Sequence, residues 1–477
     1  MLTFGLDTMV SNSKFFLLTV FLILGTLITS CGGGGGGGGG GGSIAQRSIT
    51  QPHYDSGTNL TQNSNTGSYT ASDYEATDFG AYNLTFVESP KSFGGVVANK
   101  SETGNFSIQT GHMTDTGATT AWTQGWTGQN TNIHIIDDFT NEYGDELVIG
   151  TIVSSRTVVD NGVTSTHDVT YTASIDWTHG WLVSQIAGGD KATETHDVTY
   201  SVTDHSRTSC DGSGADCFAY YWSAGSNAYV SIDGFHDNAS SNQSIVFAPG
   251  VAKDATVLNS NVSSSLTFSN WYNYLSGHIR NSSNYDAVNL SWGVKSSSAS
   301  YSDFTSGSSD FADYANTKSV FVVSAGNDGA PCTVANFTNC NLLAVDLALD
   351  SSLGDQVIVA GALNSSGTSI ATYSNRAGVL KDRFLLANGD TGYDNTAGND
   401  IVGTSFAAPR ITGAAALLKS KFQNLTGAQA ADILLLTADK DINDDGSDDF
   451  SGVSDIYGHG ELDTGAALSP IGNLYSY

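Results

Sequence analysis

Four residues of this sequence have the types and the order needed for acyl transfer at a serine: Asp137, His179, Asn327 and Ser405. A serine hydroxyl is a weak nucleophile at neutral pH. It needs an imidazole to take its proton, a carboxylate to orient that imidazole, and donors for the oxyanion. Ser405 stands in Gly403-Thr404-Ser405-Phe406-Ala407-Ala408-Pro409, ahead of an apolar run that reads as a helix through Leu418. Gly403 suits a tight turn, and the hydroxyl would then lie in the positive field of a helix N-terminus. Pro409 is expected early enough in that helix to cost little, because first-turn N–H groups have no intrahelical partner. The plainer reading is an ordinary Ser/Thr cap with a first-turn proline.

Each partner sits at the end of a recognisable element. Ile133-His134-Ile135-Ile136 reads as a short buried strand ending on Asp137, and strand carboxyl ends are where open α/β sheets place functional residues. An aspartate capping a turn is the alternative. Thr178-His179-Gly180-Trp181 through Gly188-Gly189 reads as a cap, a short helix and a glycine stop, with His179 as its first residue. His167 and His196 compete for the base. Both lie in a repeat, Thr166-His167-Asp168-Val169-Thr170-Tyr171 and again Thr195 to Tyr200, whose alternation suggests two β-segments. Val320-Phe321-Val322-Val323 reads as a buried strand leading to Ser324-Ala325-Gly326-Asn327-Asp328-Gly329, where a side-chain amide could donate to an oxyanion or simply form a turn.

The order Asp, His, Ser is that of subtilisin, unlike chymotrypsin or the α/β-hydrolases. The segments around Asp137, His179, Asn327 and Ser405 resemble those of subtilisin-like serine proteases (subtilases), over residues 116–468. The resemblance implies a three-layer α/β fold with a mostly parallel central sheet flanked by helices. It implies Ser405 as nucleophile, His179 as base, Asp137 as its orienting acid and Asn327 in the oxyanion hole. Val288-Asn289-Leu290-Ser291-Trp292-Gly293 resembles one wall of the family's S1 pocket. Ser291, Trp292 and Gly293 would then face Ala325 and Gly326 across it. Neither wall carries an acid to demand Lys or Arg, so large apolar P1 residues are expected. Two departures stand out: Asp138-Phe139 where the family has a small polar residue and glycine, and Trp181-Leu182 where it has threonine and a second histidine. They motivate a second reading, a catalytically silent subtilase-fold binding or scaffolding lipoprotein. The carriage of the domain is similar to that of autotransporter subtilases, without the barrel.

At 477 residues the chain can bury a large core without staples. With 18 Lys and Arg against 47 Asp and Glu it has little to neutralise phosphates, which argues against nucleic-acid partners. Protein or peptide substrates are expected instead. Its acidic surface is most simply a solubility feature of an exported protein. Residues 15–28 form an apolar run of about 14 residues, or ~21 Å of helix. That suits a signal peptide better than a membrane span. Leu27-Ile28-Thr29-Ser30-Cys31 resembles a bacterial lipobox, which makes residues 1–30 a signal and Cys31 a lipidated membrane anchor in the cell envelope, at the outer membrane, the cell surface or the periplasm. A plain cleaved signal is the alternative. Residues 31–115 begin with a glycine tract to Gly42 and read as a tether followed by a polar stalk or a pro-region, ahead of a peptidase domain over 116–470. The other four cysteines fall in two close pairs, Cys210 with Cys217 and Cys332 with Cys340, for which an oxidising compartment favours local disulfides. Three connectivities are open, and a zinc site is the poorer rival. No cofactor is needed for the chemistry. Asp441, Asn443 and Asp445 precede Gly446 at alternate positions, as in the first half of a calcium loop; a solvated acidic loop is the alternative.

Overall fold

The computed structural model describes residues 116–140, 146–160, 163–189, 193–204, 249–262, 285–297, 299–304, 317–395 and 398–469, with short strands and single residues elsewhere. Cys31, the glycine tract, Cys210 and Cys217 lie outside the described residues.

Six strands form the central sheet: β1 (Asn132–Asp137), β2 (Thr256–Asn261), β3 (Ala287–Leu290), β4 (Val320–Ser324), β5 (Val357–Leu363) and β6 (Phe384–Asn388). Their order is β2-β1-β3-β4-β5-β6 and every pairing is parallel. A parallel sheet is covered on both faces, so its strands must be apolar on both sides. Strands β1 and β3 to β6 meet that demand by alternation, whereas the edge strand β2 is largely exposed. Ile133 and Ile135, Val320 and Val322, and Ile358 and Ala360 enter one core, with α1 (His179–Gly188), α3 (Thr404–Lys421) and α4 (Gly427–Leu436) on that face. Ile136, Phe321 and Val323, and Val357 and Val359 enter a second core beneath α2 (Leu342–Leu349). The result is the expected three-layer α/β architecture. Among the described residues no helix is long and apolar enough to cross a membrane.

A second, antiparallel sheet is attached beside it. Strands Leu147–Asp160 and Val163–Ile175 form a long hairpin between β1 and α1, and Thr193–Asp204 returns after α1 to pair with the second of them. His167 and His196 therefore lie in strands, as the repeat suggests, and the two repeat-bearing strands are neighbours. The sheet continues through Asp390–Asn395 to Asp400–Val402, the strand that leads into Ser405. Two further strand pairs are described, Tyr82–Val87 with Ser101–Phe106 and Lys91–Phe93 with Val96–Ala98.

Two expectations about α3 need correction. Gly403 has φ 170°, extended backbone that any residue adopts, so no glycine-only turn is required there. The helix starts at Thr404, which makes Ser405 its second residue rather than its cap and puts Pro409 in the second turn. The missing N–H of Pro409 therefore does cost a bond, the one Ser405 O would have received.

Candidate active site

Asp137 is the last residue of β1, His179 the first of α1 and Ser405 the second of α3; all three are fully buried. Thr178 caps α1 by accepting from Trp181 N at 3.3 Å, which fixes the direction in which His179 leaves the helix. Gly180 N donates to Asp138 O at 2.7 Å and ties the start of α1 to the end of β1. Across that junction His179 Nδ1 lies 2.5 Å from Asp137 Oδ1. Asp137 Oδ1 also accepts from Asp138 N at 2.7 Å. Burial pushes the Asp137 carboxyl above its ordinary range; His179 and these hydrogen bonds hold it down, and the Asp138 charge adds to the rise. A carboxylate bonded to Nδ1 fixes the tautomer with Nε2 as the basic nitrogen.

Helices α1 and α3 can bring their first residues together because they touch at a glycine. A Cβ on Gly413 would fall 2.5 Å from both Ala187 O and Val251 Cβ. At the near end the His179 ring packs on Phe406, with centroids 5.5 Å apart. Ser405 Oγ donates to Ser291 O at 2.9 Å, and Ser291 Oγ donates to Ser405 O at 2.7 Å. Ser291 Oγ in turn accepts from Asn289 Nδ2 at 2.9 Å.

Asn327 follows β4 and is nearly buried. Its Oδ1 accepts from both Thr404 N and Thr404 Oγ1 at 3.0 Å. That fixes which end of the amide is oxygen and directs it at the start of α3, beside Ser405. A buried Asp–His pair, a serine at a helix start and an amide joined to that same start are together equipped for attack on a carbonyl and for holding the oxyanion.

The sequence pattern of Peptidase_S8, the subtilase family, matches residues 128–460. The chain belongs to the subtilase family. As a subtilase it is a serine-type endopeptidase acting on proteins or peptides. No curated protein matches it at significant similarity. Among solved structures, this subtilase is similar to the MycP3 protease from the type VII (ESX-3) secretion system, at 15% identity over 76% of this chain and 88% of that one, with a TM-score of 0.42. It is also similar to the prenylagaramide maturation protease PagA, at 16% identity over 74% and 98%, TM-score 0.41. A protease of Pseudoalteromonas arctica matches at 17% identity over 74% and 93%, TM-score 0.39.

The departures from the family pattern leave the Asp–His pair intact in this subtilase. The Asp138 carboxylate is turned to Thr140, accepting from its N at 2.9 Å and its Oγ1 at 3.0 Å. Phe139 lies on α1, where a Cβ on Gly180 would fall 2.8 Å from its ring. Leu182 is buried, and Trp181 packs, partly buried, against the core that α1, α3 and α4 cover.

The two expected S1 walls leave adjacent strands, β3 and β4, side by side. Trp292 would contribute backbone only, since its indole is buried in the second core, beneath α2, and donates to Ile136 O at 2.9 Å. Asn341, which the sequence reading did not single out, joins the walls: Nδ2 donates to Trp292 O (3.2 Å) and Ser324 O (2.6 Å), while Oδ1 accepts from Val294 N (3.2 Å) and Leu343 N (3.1 Å). An Asn directly before the run Leu-Leu-Ala-Val could have been read as the cap of α2; its reach to the walls could not. Cys332 and Cys340 are disulfide-bonded and close the 3₁₀ segment Val334–Asn339 just before Asn341. In the acidic loop, Asp441 accepts from Asp445 N (3.0 Å) and Gly446 N (2.6 Å), and Asn443 Oδ1 accepts from Asp445 N (3.0 Å). Among the described residues no three His, Cys, Asp or Glu side chains are grouped to hold a metal.

Proposed function

We propose that Ser405, His179, Asp137 and Asn327 carry out peptide-bond hydrolysis in this protease. The observation that carries the reading is the buried Asp137–His179 contact of 2.5 Å beside the start of α3. Ser405 Oγ turns from Ser291 O to His179 and attacks the substrate carbonyl as its proton passes to His179 Nε2. Asp137 stabilises the imidazolium. The negative oxygen of the tetrahedral intermediate is held by Asn327 Nδ2 and Ser405 N. His179 then gives its proton to the leaving amine, and a water activated by the same imidazole hydrolyses the acyl-enzyme. Fluorophosphonate labelling of the purified protein tests this: label on Ser405 is expected, with none on Ser405→Ala. A folded wild-type protein that never labels would favour the silent scaffold.

The P1 side chain is taken between segments 291–293 and 325–326, with large apolar residues preferred; cleavage of a peptide library dominated by basic P1 would overturn that preference. We further propose that residues 1–30 are a lipoprotein signal and that a lipid on Cys31 tethers the protease domain to the cell envelope through residues 31–115. The lipobox-like Leu27-Ile28-Thr29-Ser30-Cys31 supports this. Cys31→Ser should yield unprocessed or soluble protein, whereas a processed variant still in the membrane fraction would refute the anchor.

A further inference from the structure

We propose that Asn375 is a positioning residue for the hydrolytic step: it holds the turn that carries Asn327 and so sets where the oxyanion donor lies. The proposal rests on reading Asn327 as that donor.

Asn375 is 1% exposed and lies between β5 and β6. Its backbone N donates to Gly326 O at 2.9 Å. Its Nδ2 donates to Ala325 O (2.9 Å) and Asn339 O (2.8 Å), and its Oδ1 accepts from Asp328 N (3.1 Å) and Ala330 N (3.4 Å). Both N–H groups of the amide and both acceptor directions of its oxygen are used. The peptide groups on either side of Asn327 are thus bound to one residue, Gly326 O by the Asn375 backbone N and Asp328 N by its side-chain oxygen. Gly329 N bonded to Tyr373 O (2.6 Å) and Arg376 N to Ala330 O (3.1 Å) extend the same seam.

Asn327 consequently sits between two anchors. Asn375 holds its backbone, and Thr404 holds its amide oxygen next to Ser405. Gly326 makes the close approach possible. Its φ of 101° is in the region that favours glycine, and a Cβ there would fall 2.6 Å from Asn375 Nδ2. Aspartate has the same shape but no N–H, so it would set a carboxylate against Ala325 O and Asn339 O. An oxyanion donor acts only at about 2.7–3.1 Å from the developing charge. A displacement of about 1 Å can cost up to ~10² in rate.

The test compares Asn375→Asp and Asn375→Ser, each in the wild-type and the Asn327→Ala backgrounds, by steady-state kinetics on a cleaved peptide with burst titration of active serine. In the wild-type background kcat should fall on the order of tenfold with KM within about twofold. Once Asn327 is replaced by alanine the same substitution should change kcat by less than about twofold, because there is no amide left to misplace. Equal losses in both backgrounds, or no loss in either, would overturn the proposal. If Asn375→Asp does not fold, Asn375→Ser, which keeps a small hydroxyl, carries the comparison. An Asn327→Ala enzyme with wild-type kcat would instead bring down the reading of Asn327 itself, and the proposal with it.

Discussion

Ser405 and Ser291 are hydrogen-bonded in both directions, Oγ of each to the main-chain carbonyl of the other, at 2.9 and 2.7 Å. The second of these bonds exists because of Pro409. In an uninterrupted helix Ser405 O would accept from the N–H four residues on, and proline has none. The released carbonyl faces Ser291 Oγ instead. The helix gives up one internal bond, and the backbone of Ser405, the proposed nucleophile, gains a tie to segment 291–293, the proposed S1 wall.

Ser291→Ala should therefore destabilise the protein by about 1–3 kcal/mol, since it strips a buried carbonyl and the Asn289 amide of a partner. Pro409→Ala added to that variant should recover about 1 kcal/mol, because the alanine would supply the missing helical N–H. Urea unfolding of the two single variants and the double measures both effects. A double variant no more stable than Ser291→Ala would show that the proline does not govern this bond.

Ser405→Ala and His179→Ala should each remove nearly all turnover, and the double variant should be little worse, because both serve one proton transfer. Asn327→Ala should lower kcat by roughly 10²–10³ with little change in KM, the size known for such a donor in the relative subtilisin. Replacing His167 or His196 should leave kcat nearly intact. Steady-state kinetics on a single peptide series suffices, and activity surviving in His179→Ala but not in His167→Ala would move the base.

Local signals make most of the site readable from the sequence. Val-Phe-Val-Val before Asn327 and Ile-His-Ile-Ile before Asp137 are buried strands whose ends fall where the chain order demands, and Thr178 with Gly189 brackets α1. What escapes is long-range or depends on exact helix phase. Asn341 and Asn375 bind backbone 17 to 50 residues away, and no spacing rule reports such contacts. The pairing of Leu147 with Asn395 is likewise invisible locally, and with it the sheet linking the Asp137–His179 stretch to the run before Ser405. Pro409 reads as harmless from sequence because a helix start misplaced by a residue or two moves a proline between a harmless position and a costly one.

Calcium is expected to stabilise the loop at Asp441, Asn443 and Asp445. The Asp441 carboxylate and Asn443 Oδ1 already bond the loop's own N–H groups, drawing these side chains to one side of the turn. With fewer than three acids gathered, Asn443, main-chain carbonyls or water must complete the coordination, so the ion should bind weakly. Calcium added to chelated protein should raise the melting temperature, and Asp441→Ala should remove the response. A melting temperature indifferent to both chelator and calcium would exclude this loop as a site.

His459 should make the fold sensitive to acid. It is 6% exposed, and its Nε2 donates to Asp382 O at 3.1 Å. Burial pushes its imidazole down from 6.5 to about 4; the Arg383 charge adds to the fall, while main-chain hydrogen bonds with Asp382 and Leu435 hold it up in part. The folded state thus binds this proton less well than the unfolded chain does. Its contribution is fully present above pH 6.5 and is lost as pH falls from there towards about 4. The loss amounts to roughly 3 kcal/mol. Asp382 and Asp137, whose carboxyls burial raises, act in the opposite sense at the acid end, so the informative quantity is a difference between proteins rather than one curve. His459→Gln keeps a donor without the titration. Its unfolding free energy, measured in urea at several pH values between 7 and 4, should fall less steeply than that of the wild type. Parallel curves for the two proteins would show that His459 does not set the acid limit.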